Sequence, residues 1–227
     1  MSITIENVQI KSTNPAMTAY LALPEGEGRG PAVVVIHEAF GLNDHIKDVT
    51  RRFAEQGYVA LAVDLFAGRN QVLCMFRFFG GMFLNSLDHE AIRNLKGSLD
   101  WLETQPRVDS NRVGAIGFCL GGGLAIAWAC TDPRLRVIAP FYGLNPRPLN
   151  VVERACPVVG SYPENDFTKG MGEKLNTTLQ TYQIDHDIKV YPGTKHSFFN
   201  DQGPSYDAAA ATDAWGRVLH FFESRLT

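Results

Sequence analysis

Residues 112–129, RVGAIGFCLGGGLAIAWA, decide the fold because they join a strand to a helix through a turn of very small residues. The apolar run 112–116 predicts a short strand, and the alanine-rich end of the segment predicts a helix. Between them lies GFCLGG at 117–122, with glycines two positions on either side of Cys119. A turn this tight needs tiny residues there, because glycine tolerates backbone angles that other residues avoid. Such a turn lifts the Cys119 side chain above the edge of a sheet and points the N–H of Leu120 at a site for an oxyanion.

On both sides of this turn, short runs of apolar, β-branched residues alternate with longer amphipathic segments. This alternation is typical of βαβ units, and a continuous run such as 32–36, AVVVI, is typical of a strand covered on both faces. The remaining predicted strands and helices are strands at 58–63, 136–141, 156–160 and 187–190, and helices at 45–56, 88–104 and 206–225. We therefore expect one domain over residues 1–227, with an open, mostly parallel sheet, helices on both faces and a candidate cap segment at 65–86.

The composition excludes several classes of function. A formal net charge of −3 gives no indication of a nucleic-acid or acidic-membrane partner. The four cysteines contain no CxxC pair, which favours reduced thiols over a disulfide framework or a zinc site. The N-terminus lacks the basic and apolar stretches of a secretory signal, and the apolar segment 74–84 is too short to span a bilayer. We expect a cytoplasmic protein, monomeric or a small homo-oligomer, without metal, cofactor, nucleic-acid or membrane partners.

Cys119 has the sequence context of a catalytic nucleophile. A thiol at the start of a helix feels the positive end of the helix dipole, which favours the thiolate. An isolated GxCxG turn also fits a buried structural cysteine, and Cys130 and Cys156 have the context of such structural residues. The choice therefore depends on whether an acid and a base follow Cys119 in the chain.

Two later loops offer that acid and base in the expected order. Asp166 lies just beyond the strand that ends near Gly160, and Glu164 is a competing carboxylate in the same loop. His196 lies in a loop just beyond the strand at 187–190, whereas His186 precedes that strand. Nucleophile, acid and histidine in this chain order, each after a strand, are typical of a nucleophile–acid–base triad. In that arrangement Cys119 attacks a carbonyl, His196 transfers the proton and Asp166 stabilises the imidazolium.

The chain resembles the dienelactone hydrolase family, whose members include carboxymethylenebutenolidases, from its N-terminal strand to its last helix. The pieces that support the resemblance are HEAFGL at 37–42, DLF at 64–66, GFCLGG at 117–122, the Asp166 loop, HSF at 196–198 and Tyr206 before the final helix. The resemblance implies the α/β-hydrolase fold and a triad of Cys119, His196 and Asp166. It also implies an oxyanion hole from the N–H groups of Leu120 and Ala39, and a role for Glu38 as acceptor of the thiol proton.

One departure from the family pattern concerns the substrate. Members that act on dienelactone have an arginine four residues after the catalytic histidine, and here that position is Asn200. A second family arginine corresponds to Arg77. Because an arginine–carboxylate pair is a strong, directional contact, its loss favours small apolar or aryl esters over a dienelactone-like lactone. We predict substrate contacts from Arg77, Phe78, Ser197 and Asn200. The alternative for Arg77 is a surface role, and the alternative for the aromatic residues of 66–83 is simple packing on the sheet.

Three functions from different classes fit these residues. The first is a cysteine-dependent hydrolase of a small-molecule ester or lactone, which needs no cofactor. The second is a catalytically silent binding or regulatory protein with the same fold. The third is a thiol redox protein in which Cys74 or Cys130 approaches Cys119, although no resolving cysteine lies near Cys119 in sequence. The intact set of Cys119, Asp166 and His196 favours the hydrolase.

Overall fold

The protein is described by a computed structural model that covers residues 2–13 and 15–226. An eight-stranded sheet is flanked by helices on both faces. In chain order the strands are β1 (Thr4–Ile10), β2 (Met17–Leu23), β3 (Gly30–Ile36), β4 (Val59–Val63), β5 (Val108–Phe118), β6 (Leu135–Phe141), β7 (Val158–Pro163) and β8 (His186–Tyr191). The helices are α1 (Asp44–Glu55), α2 (Gln71–Leu84), α3 (Glu90–Glu103), α4 (Leu120–Ala129), α5 (Lys169–Thr181) and α6 (Ala208–Leu226), with a 3₁₀ helix at Leu149–Arg154.

The sheet has the strand order β1-β2-β4-β3-β5-β6-β7-β8. The strands from β4 to β8 in this order are parallel, whereas β1 and β2 form an antiparallel extension at one edge. The expected open, mostly parallel sheet with helices on both faces is thereby confirmed. Strands β3 and β5 are neighbours near the centre, so the loops after them meet at the carboxyl edge, where ligands bind in open α/β sheets.

Each face of the sheet has its own apolar core. On one face α1 and α6 pack through residues such as Phe53 and Phe222, whose rings stack with centroids 5.9 Å apart. On the other face α3, α4 and α5 bury Leu95, Trp128 and Leu175. Helix α4, which follows the GFCLGG turn, is buried along its whole length, so the turn is fixed in the interior of the domain.

Five elements were not predicted from the sequence, namely β1, β2, α2, α5 and the 3₁₀ helix, and several boundaries differ by a few residues. Cys156, for example, lies just before β7 rather than in it. The segment 65–86, predicted as a candidate cap, contains α2. Its composition hides the helix: α2 is apolar on nearly all sides, so no polar stripe reveals a helical period. Within the described part of the chain, no helix has both the length and the apolar character needed to cross a bilayer.

Candidate active site

The GFCLGG turn forms the sharp bend that the sequence predicts. Cys119 has φ 53° and ψ −112°, in the left-handed region that favours glycine. A Cβ on Gly117 would lie 2.1 Å from the carbonyl oxygen of Gly121, and one on Gly121 would lie 2.4 Å from that of Ile36. The backbone at the turn is therefore packed too closely for any side chain at these two glycines. The strained Cys119 backbone holds its side chain at the carboxyl edge of the sheet.

The Cys119 thiol lies in a strongly desolvated, negative environment. The pKa of this thiol is raised from its ordinary value of 9.0 to about 12, chiefly by burial and further by the negative charges of Glu38 and Asp166. The backbone N–H of Leu120 acts in the opposite direction and lowers this pKa. The expected thiolate at the helix start is therefore not the resting form, because burial outweighs the helix terminus.

His196 and Asp166 lie side by side at the same edge of the sheet. His196 Nδ1 is 2.8 Å from Asp166 Oδ2, and the hydroxyl of Thr168 donates a hydrogen bond to the same carboxylate oxygen. Glu164, the competing carboxylate, points elsewhere and accepts from the N–H of Gly193 at 2.9 Å. Asp166 is thus the acid that orients the imidazole. Its bond to Nδ1 leaves Nε2 as the nitrogen available to a substrate.

Aromatic rings fix the orientation of the His196 ring. The ring of Tyr142 packs against it with centroids 4.8 Å apart, and the ring of Phe167 stacks on it at 5.7 Å with an interplanar angle of 13°. Tyr142 follows β6 and also interacts electrostatically with Cys119. Among the described residues, no hydrogen bond joins the Cys119 sulfur to the imidazole; the two share Tyr142 as a neighbour.

Glu38 lies at the centre of a buried polar network between β3 and the His196 loop. Its Oε1 accepts hydrogen bonds from the hydroxyls of Ser197, at 2.9 Å, and Tyr142, at 3.3 Å. Its Oε2 lies 3.5 Å from the side-chain nitrogen of Asn200. The Glu38 side chain is 1% exposed and forms no ion pair with any Lys, Arg or His within residues 2–13 and 15–226. Neutral donors therefore hold this carboxylate.

Neighbouring histidines hold the loops on which this network depends. The N–H of Leu65 donates to His37 Nε2 at 3.1 Å, so His37 carries its proton on Nδ1 and donates it to the carbonyl oxygen of Glu38 at 2.5 Å. His45 Nδ1 lies 3.5 Å from Asp201 Oδ1, one residue beyond Asn200. Burial lowers the pKa of both histidines, so both are neutral structural groups at neutral pH.

Most of the predicted oxyanion donors and substrate contacts lie next to Cys119 or Glu38, whereas Arg77 has a different partner. Leu120 follows Cys119 directly in the chain. Ala39 follows Glu38, and the carbonyl oxygen of Ala39 accepts a hydrogen bond from the side-chain nitrogen of Gln71 at 2.7 Å. Ser197 and Asn200 bind Glu38, as described above. In contrast, Arg77 forms an ion pair with Glu90 at 3.1 Å.

Phe78, the remaining predicted substrate contact, is buried and stacks on Phe66 with centroids 6.0 Å apart. Phe78 therefore packs in the core, and its contact with substrate stays a prediction. Arg77 points to α3 rather than to Cys119 because it lies on the side of α2 that faces Glu90.

Comparisons with known proteins identify the family of the chain. The sequence model of the dienelactone hydrolase family matches residues 17–226. The chain belongs to this family. Two relatives named as carboxymethylenebutenolidases are each 32% identical to it: that of Synechocystis sp. over 96% of both chains, and that of Saccharolobus solfataricus over 92% of this chain and 95% of its own. As a member of the dienelactone hydrolase family, the protein is a carboxylic ester hydrolase that acts on an ester or lactone.

Solved structures of other dienelactone hydrolases share the fold over the whole chain. A structure described as a dienelactone hydrolase from Klebsiella pneumoniae has a TM-score of 0.86 at 27% identity and covers 98% of this chain and 99% of its own. A dienelactone hydrolase-like promiscuous phosphotriesterase from metagenomic libraries has a TM-score of 0.87 at 27% identity over 100% of both chains. The fold assigned from the residues is thereby confirmed.

Reasoning from the sequence missed several groups of this dienelactone hydrolase site. Tyr142 contacts Glu38 and His196, and Thr168 donates to Asp166. Tyr142 could have been found from its position directly after a predicted strand, at the edge where Cys119 lies.

The four cysteines are free; the pKa values of Cys130 and Cys156 rise to about 12 on burial. Within the described residues, no group of three or more His, Cys, Asp and Glu side chains could hold a metal ion.

Proposed function

We propose that this dienelactone hydrolase family member cleaves its ester or lactone through a triad of Cys119, His196 and Asp166 and an acyl-enzyme intermediate. The observation that supports it best is the 2.8 Å contact between His196 and Asp166 at the sheet edge to which the strained turn delivers Cys119. The acid orients the imidazole and stabilises its cation, which is the role that a buried carboxylate has in such triads.

In the first step the thiol must lose its proton, and Glu38 is the proposed acceptor. Burial keeps the thiol pKa high, so thiolate forms only when a nearby base takes the proton. Glu38 is close enough to raise that pKa by its charge and is held only by neutral donors. Because its partners are neutral side chains, Glu38 has no ion pair within the described residues to give up when it takes the proton. The thiolate sulfur then attacks the carbonyl carbon, and the π electrons move to the carbonyl oxygen.

The remaining residues are proposed to stabilise the oxyanion and to protonate the leaving group. The N–H groups of Leu120 and Ala39 are the proposed donors to the oxyanion. When the tetrahedral adduct collapses, the bond to the alkoxide breaks, and the alkoxide receives through the His196 imidazole the proton that Glu38 took from the thiol. His196 then takes a proton from a water molecule, and the resulting hydroxide attacks the thioester. The carbon–sulfur bond breaks, the carboxylic acid is released, and the thiolate takes the proton from the His196 imidazolium, which returns the thiol. Throughout, Asp166 fixes the tautomer of the imidazole.

Small apolar or aryl esters are the proposed substrates, with dienelactone-like lactones as the alternative. Asn200 stands where an arginine would bind a substrate carboxylate next to Glu38, and Arg77 is paired with Glu90. The immediate surroundings of Cys119 therefore offer an anionic lactone little cationic help. Comparing kcat/KM for a lactone carboxylate and an uncharged aryl acetate separates the two substrate classes.

The test of the mechanism is turnover of an aryl acetate under reducing conditions by Cys119→Ala and His196→Gln variants. We expect both to lose activity by about a thousandfold or more, because the members of a triad act as a unit. Cys130→Ala is the matched control: this thiol is also buried, and its loss is expected to leave the rate within twofold. Wild-type rates in Cys119→Ala would show that the nucleophile is another group.

The same assay separates the other two functions. A catalytically silent binding protein gives no acyl-enzyme burst with an activated ester, whereas the proposed hydrolase gives one equivalent. A thiol redox protein loses its activity as its thiols change oxidation state, whereas the proposed hydrolase keeps a stable rate in excess reductant. The mass of the trapped acyl-enzyme, located on Cys119 by peptide mapping, completes the test.

A further inference from the structure

An apolar cleft of about 560 Å³ opens between α2, α5 and the segment that follows β6. A cavity of this volume can hold a drug-sized molecule. Its walls come from three separate parts of the chain and consist mostly of large apolar side chains. These include Phe79, Met82, Phe83, Leu144, Leu149 and Met171.

This cleft adjoins the candidate active site through Phe167. Phe167 lines it, and the ring of Phe167 stacks on His196 with centroids 5.7 Å apart. On the other side, a Cβ on Gly123 would lie 2.4 Å from the Met82 methyl group, so α2 rests directly on the first turn of α4. The N–H of Gly123 donates to the carbonyl of Cys119 at 3.2 Å. The cleft therefore lies beside the start of α4, the helix that begins directly after Cys119.

Two cations stand at the mouth of this apolar cleft. Arg147 and Lys174 both line it, and both are exposed. The guanidinium of Arg147 lies over the Phe83 ring, 4.8 Å from its centroid. Within residues 2–13 and 15–226, neither cation has a carboxylate within 4.0 Å, whereas the arginines on the α2–α3 side, Arg69 and Arg77, are both paired with Glu90. In a protein of net charge −3, two unpaired cations beside an apolar cavity form a local site for a negative charge.

We infer that the cleft binds the apolar body of a carboxylate-bearing ester or lactone, and that Arg147 and Lys174 bind its carboxylate. The inference rests on the proposed function, since the cleft serves the same reaction. It changes the proposed substrate class in one respect: the apolar or aryl ester carries a carboxylate, at the end remote from the scissile carbonyl. The carboxylate of the substrate then binds away from Glu38. An anionic substrate is therefore compatible with a neutral residue, Asn200, next to Glu38.

The test compares each carboxylate substrate with its neutral primary amide of equal size. Two series of esters are measured, aryl acetates and methyl arylacetates, each with the acid on zero, one or two methylene groups from the ring. In at least one series we expect the wild-type kcat/KM to favour the carboxylate by about tenfold, as for one to two charge-assisted contacts. The Arg147→Gln/Lys174→Gln double variant is expected to lose that preference and to keep the kcat/KM of the amides within about twofold. Equal rates for carboxylates and amides in both series, or a preference that survives in the double variant, would overturn the inference.

A matched control separates local binding from net charge. Lys11→Gln/Arg136→Gln removes two exposed cations as well, but Lys11 follows β1 and Arg136 lies at the amino end of β6, remote from the cleft. This variant is expected to keep the carboxylate preference.

Binding without turnover distinguishes failure of this inference from failure of the proposed function. Arylacetone ketones, in which a methylene replaces the ester oxygen of the aryl acetates, are titrated into Cys119→Ala by calorimetry. The carboxylate ketone is expected to bind about tenfold more tightly than its amide, and this difference is expected to vanish when Arg147→Gln and Lys174→Gln are added. A preserved difference in binding together with full turnover by Cys119→Ala would contradict only the nucleophile assignment. No difference in binding would contradict only the anion site.

Discussion

Replacing Glu38 by glutamine is expected to change the reactivity of the thiol and the turnover of the enzyme in opposite directions. Burial and the charge of Glu38 together raise the thiol pKa from 9.0 to about 12, with burial the larger cause. At neutral pH such a thiol has about a thousandfold less thiolate than an ordinary cysteine. Removing the Glu38 charge reverses the smaller part of this effect, which corresponds to about tenfold more thiolate.

The expected alkylation rate follows from that thiolate fraction. Because the intrinsic nucleophilicity of a thiolate falls as its pKa falls, tenfold more thiolate gives about threefold faster reaction of Cys119 with iodoacetamide. Ester turnover, in contrast, is expected to fall about a hundredfold, since the proposed proton acceptor is gone. In the wild type the alkylation rate continues to rise with pH beyond pH 10, because the thiol pKa is raised, and in Glu38→Gln the same curve lies at lower pH.

The assay is the time course of single alkylation by intact-protein mass, with Cys119→Ala to subtract the other cysteines. Ser197→Ala is the control, because it removes a neighbour of Glu38 and keeps the charge; its alkylation is not expected to accelerate. If alkylation slows in Glu38→Gln along with turnover, Glu38 activates the resting thiol, and the electrostatic argument is wrong. If turnover is unchanged, Glu38 is not the proton acceptor.

Three further predictions follow from the site and its support. Asp166→Asn is expected to lower kcat by about a thousandfold or more, since an amide cannot stabilise the imidazolium; steady-state rates on a folded variant check this, and a loss below tenfold would contradict it. Gly121→Ala is expected to lower Tm by about 10 °C, because its Cβ would lie 2.4 Å from a backbone oxygen, whereas Gly216→Ala, with nothing within 4 Å, is expected not to lower it; calorimetry compares the two. Burial lowers the pKa of three histidines, His37, His45 and His89, so these groups bind protons more readily in the unfolded chain than in the folded one. The free energy of unfolding is therefore expected to fall as pH drops below 6.5. Denaturant titrations at pH values above and below 6.5 test this, and equal free energies of unfolding would refute it.

Those parts of the fold that follow from local pattern were predictable from the sequence. Continuous apolar runs such as 32–36 are buried on both faces, which identifies central strands without any knowledge of their neighbours. The GFCLGG turn is equally local, because the close approach of Gly117 to Gly121 depends on residues four positions apart. Asp166 and His196 were predictable because the carboxyl ends of parallel strands meet at one edge, so chain order alone brings their loops together.

Features that depend on pairing between distant segments were not predictable. The position of Tyr142 after a predicted strand places it at the edge where Cys119 lies. Only the tertiary structure shows that its hydroxyl lies 3.3 Å from Glu38, because β5 lies between β6 and β3 in the sheet. The raised thiol pKa was missed for a related reason: the helix start is visible in the sequence, but burial and the Glu38 charge come from the tertiary structure. The direction of Arg77 depends on Glu90 of α3, which sequence spacing does not give.

Hydrogen bonds from the three donors around Glu38 make the stability of the His196 loop depend on whether Glu38 is protonated. Ser197 and Asn200 belong to the loop that carries His196, and both hold a carboxylate on the far side of the site. Hydrogen bonds to a charged acceptor are about twice as strong as those to a neutral one, so a proton arriving on Glu38 weakens this attachment. Under the proposed chemistry, the event that creates the nucleophile would therefore also loosen the anchorage of the base, and the histidine would gain freedom of movement at the moment when it must reach the leaving group.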